Sequence, residues 1–260
     1  MNNNPIGVYD SGIGGLTVFS KLVKLLPNEN FIYFGDTANI PYGTKSKEEL
    51  LVITHKIMNI FKNFNVKGVV MACNTTSAVA YDTLKNDYDF TLYPVIQTAC
   101  KVIAEMGIKK IGTLSTEATA NSHAYKLQLQ KYAPNIEVIE HGCRGKWVEC
   151  VENGTQKAPE NIEIIKENLN LLLDQNVEKI ILGCTHYPYL KNILCDIAGT
   201  DIFIDPAEYF AKYIAQDITN SGNLAEKKLY EPKFYVSSNP EKFQISSKIF
   251  YNVVHAEILS

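Results

Sequence analysis

Short apolar runs of five or six residues, each followed by a longer stretch with apolar residues at helical spacing, recur along almost the whole chain. That alternation restricts the fold more than any other feature of the sequence. The strand-like runs lie at 5–10, 31–35, 67–72, 92–96, 110–114, 136–140, 178–183 and 201–205, with a later one, FYVS, at 234–237. Amphipathic stretches at 46–63, 117–132, 159–174 and 206–219 read as helices, and a further helix is expected to carry Phe243 and Phe250. Strands this short, separated by helices, need crossover connections, so the expected sheets are parallel and built from βαβ units. In such sheets ligands bind beyond the carboxyl ends of the strands, which makes the polar residues at those ends the candidates for function.

The alternation repeats. IGVYDSG begins at Ile6 and IGTLSTE at Ile111, and FIYFG begins at Phe31 and IEVIE at Ile136, an offset of 105 in both cases. A third pair, GVVMACNTTSA from Gly68 and KIILGCTHYPYL from Lys179, places Cys73 and Cys184 111 residues apart, each where an apolar run gives way to a helix-like stretch. The reading is therefore an α/β protein of two pseudo-twofold-related parallel-sheet domains with the active site in the cleft between them. Residues 1–97 plus 206–260 form the first domain and 98–205 the second, the tail returning to the first. Superposing the halves matches Ser11 with Thr116 and Cys73 with Cys184.

Composition excludes several classes. A formal charge of −3, with no block of like charges, gives no electrostatic case for nucleic acid or an anionic membrane surface. No apolar run spans a bilayer, and the opening MNNNPIGVYD has neither part of a signal peptide, so a cytoplasmic protein is expected. The six cysteines include no CxxC, and His141, Cys143 and Cys150 fit no standard zinc spacing, so no metal is expected. Cys100, Cys143, Cys150 and Cys195 read as small core residues.

Cys73 and Cys184 have a different context. A thiol at a strand end before a helix lies near free backbone N–H groups and the positive end of the helix dipole, a setting that lowers its pKa. Two such thiols facing each other across a cleft suit a nearly symmetric reaction, proton removal from one face of a stereocentre and return to the other. Around them, Asp10 and Ser11 end the first strand, Asp36 follows the second, and Pro41, Tyr42 and Gly43 occupy the next loop. Asn74 and Thr75 follow the first cysteine, Thr185 and His186 the second, while Thr113, Thr116 and Thr119 open the second half. Such hydroxyls and amides can hold a carboxylate without any metal.

DSGIGGLTV, YFGDTANIPYG, ACNTTSA and LGCTHYP, with IDPAE at 204–208 and FYVSSNPEKF at 234–243, resemble in order and spacing the motifs of the glutamate racemases, PLP-independent enzymes of the aspartate/glutamate racemase superfamily. The resemblance covers nearly the whole chain. It implies a two-domain enzyme that interconverts L- and D-glutamate without a cofactor and supplies D-glutamate for peptidoglycan, with a homodimer as one expected assembly. By motif match, Cys73 and Cys184 are the two acid/bases, with Asp10 the partner of the first and His186 of the second. Ser11, Pro41, Tyr42, Gly43, Asn74, Thr75, Thr185, Thr116 and Asp36 match substrate contacts. Glu152 matches a functional glutamate, although HGCRGKWVECVENG at 141–154 departs from the family's usual Pro- and Leu-rich approach to it. CTHYP favours glutamate over aspartate, again by resemblance.

Three other readings fit less of the sequence. GIGGLT lacks the third glycine of a dinucleotide turn, and Asp10 would set a carboxylate against the pyrophosphate. A thiol hydrolase built on one cysteine and His186 leaves the second cysteine turn unexplained. A racemase-like binding protein would require ligand capture without exchange of the α-hydrogen.

Overall fold

The computed structural model describes residues 1–259. Two parallel sheets organise the chain. The first contains β1 (Ile6–Asp10), β2 (Phe31–Gly35), β3 (Gly68–Met71) and β4 (Thr91–Pro94), and the second β5 (Lys110–Ser115), β6 (Glu137–Gly142), β7 (Lys179–Gly183) and β8 (Phe203–Ile204). After them the chain adds β9 (Lys233–Val236) and β10 (Glu257–Ile258) to the edge of the first sheet, giving the order β10-β9-β2-β1-β3-β4. The second sheet runs β6-β5-β7-β8, the same order as β2-β1-β3-β4. Every pairing is parallel. The fold class read from the alternation is thus the one observed, including its repeat.

The register refines the repeat. Ile6 pairs with Gly68 and Ile111 with Lys179, and Cys73 and Cys184 each lie five residues beyond those partners. Across β1 and β2, however, Ile6 pairs with Phe31, whereas Ile111 pairs with Val138 rather than Ile136. The 105-residue offset is therefore two residues short for that element, because the connection from β5 to β6, which carries helices Glu117–Asn121 and Ala124–Tyr132, is longer.

Three helical expectations change. The stretch 117–132 is two helices, Glu117–Asn121 and Ala124–Tyr132, broken at His123, whose φ is 56°. Asn, Ser and His at 121–123 are weak helix formers. Ser122 also fastens the turn, donating its hydroxyl to Thr119 O and accepting from Ala124 N–H. The fourth strand stops at Pro94, and Val95 already begins the helix Val95–Ala104. The late helix, Pro240–Ser247, ends before Phe250, which packs edge-on against His186 and Tyr189. Lys47–Asn63 starts as its sequence suggests, with Ser46 and Glu49 forming a reciprocal capping box.

Helix Pro206–Asn220 packs against Leu16–Leu25 and against Val95–Ala104. Its Phe210, Ala211 and Ile214 join one apolar cluster with Phe19 and Leu22 from the first half and Ile103, Tyr125 and Leu129 from the second. Cys100, Cys143 and Cys150 are buried as expected, but Cys195 is only half-buried, since helix Lys191–Ala198 covers the second sheet at its margin. Among the described residues no helix is long and apolar enough to cross a membrane.

Candidate active site

The carboxyl ends of β1, β3, β5 and β7 converge on a cavity of about 320 Å³, the scale of a small-molecule site. Cys73 and Cys184 both line it, with Ser11, Pro41, Tyr42, Gly43, Asn74, Thr75, Thr116, Thr185 and His186. Eleven of the fourteen candidate residues therefore meet at one surface; Asp10, Asp36 and Glu152 stand behind it.

The two cysteine turns are built differently. After β3 the chain bends at Ala72, and Cys73 becomes the extended residue before helix Asn74–Val79, its carbonyl accepting from Ser77 N–H and from the Thr76 hydroxyl. After β7, Cys184 is followed by a tight 3-10 turn, Tyr187–Leu190, whose first N–H bonds to the Cys184 carbonyl. The second turn thus opens no α-helix, because Pro188 and the aromatic pair around it favour the tighter coil.

The expected lowering of the thiol pKa does not hold for Cys73. Burial, then the neighbouring Asp10 carboxylate, pushes that thiol up to about 12. A six-residue helix offers few free N–H groups against full desolvation. Asp10 itself is fully buried, and its carboxyl is raised by that burial while His186 and the Gly12 N–H oppose the shift. Its oxygens accept from Gly12 N–H at 3.0 Å and from the Thr185 hydroxyl at 3.2 Å. Asp10 therefore acts on Cys73 through charge, and its hydrogen bond reaches across to the other half.

Beside Cys184 the neighbouring charge is a cation. Sγ lies 3.8 Å from Nδ1 of His186, and Nε2 of the same ring lies 3.1 Å from Oε1 of Glu152. Burial alone would push the imidazolium down, but the hydrogen bonds with Cys184 and Glu152 hold it up at about 10. At neutral pH His186 is a buried cation between a thiol sulfur and a carboxylate. Glu152 reaches it from helix Trp147–Glu152 and also borders a second cavity beside Phe243.

Contacts between the halves are close where the glycine turn and the Pro-Tyr-Gly loop meet the second sheet. A Cβ on Gly14 would lie 2.3 Å from Thr185 Oγ1 and 2.7 Å from the His186 ring, so only glycine fits. Gly43 likewise abuts Thr116, whose hydroxyl is 3.0 Å from that of Thr75. Tyr125, aimed by the helix break at His123, donates to Asn74 Oδ1 at 2.6 Å. Asp36 is an anchor behind the wall, where it accepts from Tyr42 at 2.5 Å, from Ser237 at 2.7 Å and from Asn39. Thr113 is buried within β5 with its hydroxyl unpartnered, away from the cavity, and Thr119 bonds to Thr116.

Sequence reasoning missed part of the wall. Glu117, Cys143, Arg144, Lys146, Trp147, Glu149 and Tyr187 also line the cavity. Trp147, the chain's one tryptophan, packs on Tyr187 with ring centroids 4.8 Å apart. The signal that could have found them is the charged, aromatic character of 143–149 one strand-end away from Cys184.

Comparison with known proteins gives a consistent picture. Residues 6–214 match the family described as Asp/Glu/hydantoin racemase. A glutamate racemase of Trichormus variabilis is 39% identical over 243 residues, covering 93% of this chain and 82% of the relative. One from Thermoanaerobacter pseudethanolicus is 35% identical, with 99% of each chain covered. Among solved structures, the glutamate racemase of Francisella tularensis in complex with D-glutamate is 37% identical, superposes with a TM-score of 0.93, and covers 100% of this chain and 98% of its own.

Proposed function

The chain belongs to the Asp/Glu/hydantoin racemase family, and from that premise we propose that it is an isomerase interconverting L- and D-glutamate with Cys73 and Cys184 as its two acid/bases. The observation that carries this reading is the placement of both cysteines on one amino-acid-sized cavity, each at the carboxyl end of the equivalent strand of its sheet. In one direction a thiolate removes the α-proton from one face, and the thiol opposite delivers its own proton to the other face. The configuration inverts, the negative charge passes from one sulfur to the other, and the next turnover in reverse begins with the roles exchanged. No other group need gain or lose a proton.

Asp10 and His186 set the charge beside the two sulfurs. With its pKa near 12, Cys73 holds its proton at neutral pH and is poised as the acid; the His186 cation, bonded to Glu152, stands beside Cys184. Ser11, Asn74, Thr75, Thr116 and Thr185 supply hydroxyls and amides to the substrate's polar groups, and Pro41, Tyr42 and Gly43 shape one side. The two bodies flanking the cavity are assigned as residues 1–97 with 206–260 and residues 98–205, Ser260 lying outside the described residues. D-Glutamate made here would feed peptidoglycan synthesis.

Proton NMR in D₂O, with no added cofactor, tests the reading. Incubation should erase the α-proton signal of L-glutamate with little loss for L-aspartate, and chiral analysis should find D-glutamate. Cys73→Ala and Cys184→Ala should each remove racemisation while the protein stays folded. Turnover near the wild-type rate in either variant excludes the two-thiol mechanism.

A further inference from the structure

One side chain touches both cysteine turns. Tyr125 lies in the first turn of helix Ala124–Tyr132, just after the break at His123, and its ring passes over Gly183, the residue before Cys184. A Cβ on Gly183 would stand 2.9 Å from Tyr125 Cε2, so the bare glycine leaves the ring its path. The phenol then reaches Asn74, the residue after Cys73, and donates to its Oδ1 at 2.6 Å. Both side chains are buried.

This contact decides which end of the Asn74 amide faces the cavity. The oxygen and nitrogen of an amide are told apart by the hydrogen bonds around them. Among the described residues the Tyr125 hydroxyl has no other acceptor. Turning the amide over would set Nδ2 against the phenol and leave a buried O–H proton without a partner, the costly arrangement for a desolvated donor. Oδ1 therefore points to the wall. Asn74 lines the cavity, its Nδ2 has no hydrogen-bond partner among the described residues, and that nitrogen is not one of the polar atoms sealed away without one. Its two N–H groups are thus open to the cavity, on the residue next to Cys73. Tyr125 is the amide's single hydrogen-bond partner among the described residues, and it comes from the other half of the chain.

We propose that Tyr125 is a positioning residue for the reaction, fixing the Asn74 amide so that two donors rather than an acceptor meet the substrate. The inference rests on the glutamate racemase reading above, and it makes the orientation of this amide depend on contact between the two halves. Racemisation is measured for wild type, Tyr125→Phe, Asn74→Ala and the double variant. Tyr125→Phe removes one oxygen and frees the amide to turn. Its kcat/KM should fall by roughly threefold or more, the worth of one hydrogen bond, chiefly through KM. In the Asn74→Ala background the same change should have no further effect, because Tyr125 acts through that amide. A loss below about threefold in folded Tyr125→Phe overturns the inference. A loss that persists at about threefold or more in the Asn74→Ala background overturns it too, marking a general packing role. Nitrogen–proton NMR adds a readout that needs neither turnover nor the Phe variant. The Asn74 side-chain amide pair, assigned from its absence in Asn74→Ala, should shift when glutamate saturates the wild-type protein. An unmoved pair overturns the inference while leaving the racemase reading intact. A wild-type protein that neither binds nor turns over glutamate overturns both.

Discussion

Glu152 makes no contact with the cavity that holds the two thiols, yet replacing it with glutamine should change the protonation of His186. Glu152 Oε1 accepts from His186 Nε2 at 3.1 Å, both side chains are largely buried, and the ring holds its proton to about pH 10 against the desolvation that would expel it. A hydrogen bond between charged partners contributes about 1.5–3 kcal/mol, which corresponds to about 1–2 pKa units at 1.36 kcal/mol per unit. Glu152→Gln keeps the shape and an oxygen acceptor but removes the charge, so the His186 pKa should fall to roughly 8–9 by that arithmetic. At pH 8 the ring would then be about half to nine-tenths protonated instead of almost wholly so. The assay is a pH titration of the imidazole carbons by NMR in protein labelled at its five histidines, with the His186 resonance assigned from its loss in His186→Asn. Racemisation at pH 8 should fall in parallel, with the larger effect on kcat. An unmoved His186 titration in folded Glu152→Gln would refute the reasoning, because the cation would then owe nothing to the carboxylate.

The same shift predicts a pH dependence of stability. Because His186 binds its proton more tightly folded than unfolded, its contribution is fully present below about pH 6.5 and is lost as pH rises through about 10. Urea denaturation should therefore show wild type losing more stability than His186→Asn over that interval. Gly14→Ala forces Thr185 and His186 to move, since the new Cβ would meet them at 2.3 and 2.7 Å. A displacement of this kind at a reacting site costs on the order of 10²-fold, so kcat should drop sharply while circular dichroism is unchanged; wild-type kcat would show the turn to be slack. Lys67 is buried against Glu29 at 2.6 Å and also donates to the carbonyls of Asn2 and Asn223. Lys67→Met leaves the buried carboxylate without its counter-charge, held only by the Ala225 N–H at 2.8 Å, and should cost about 3–5 kcal/mol in denaturant unfolding, with Lys67→Met/Glu29→Leu recovering part; a loss below about 1 kcal/mol would place the pair in the range of surface ion pairs.

The alternation of apolar runs and amphipathic stretches reveals the fold because each βαβ unit is a local pattern, and the repeat is readable because β1, β3, β5 and β7 keep their spacing to the cysteines. Register is less legible. The two-residue slip at β6 comes from a connection whose length is free to vary, since helices and loops beside it absorb the difference. The break at His123 was hidden for a related reason: 117–132 keeps helical spacing across it, and the deciding event is the turn fastened by Ser122. Site residues next to a cysteine or at a strand end were visible as a class. Arg144 and Trp147 were not, since their place at the cavity depends on the distant Asn168 and on stacking with Tyr187.

The repeated turn also carries less information than its surroundings. Both cysteines end equivalent strands, so the backbone argument treats them alike, and it fails for Cys73, where burial beside Asp10 raises the thiol instead of lowering it. Asp10 comes from β1 and Glu152 from a helix of the other half, elements the cysteine motifs do not contain. Their charges make the two sides unlike, an anion near one sulfur and the His186 cation beside the other. The reaction starts from one thiol and one thiolate, and these unlike charges bias which sulfur holds the proton at the start. The duplicated scaffold supplies the opposed positions, and residues at which the two halves differ supply the difference between them. Removing both charges, by Asp10→Asn together with Glu152→Gln, should therefore change kcat by a factor that differs from the product of the two single-variant factors. Strict additivity of the two losses, measured as ratios of kcat in a double-mutant cycle, would show that the thiols do not share one proton inventory.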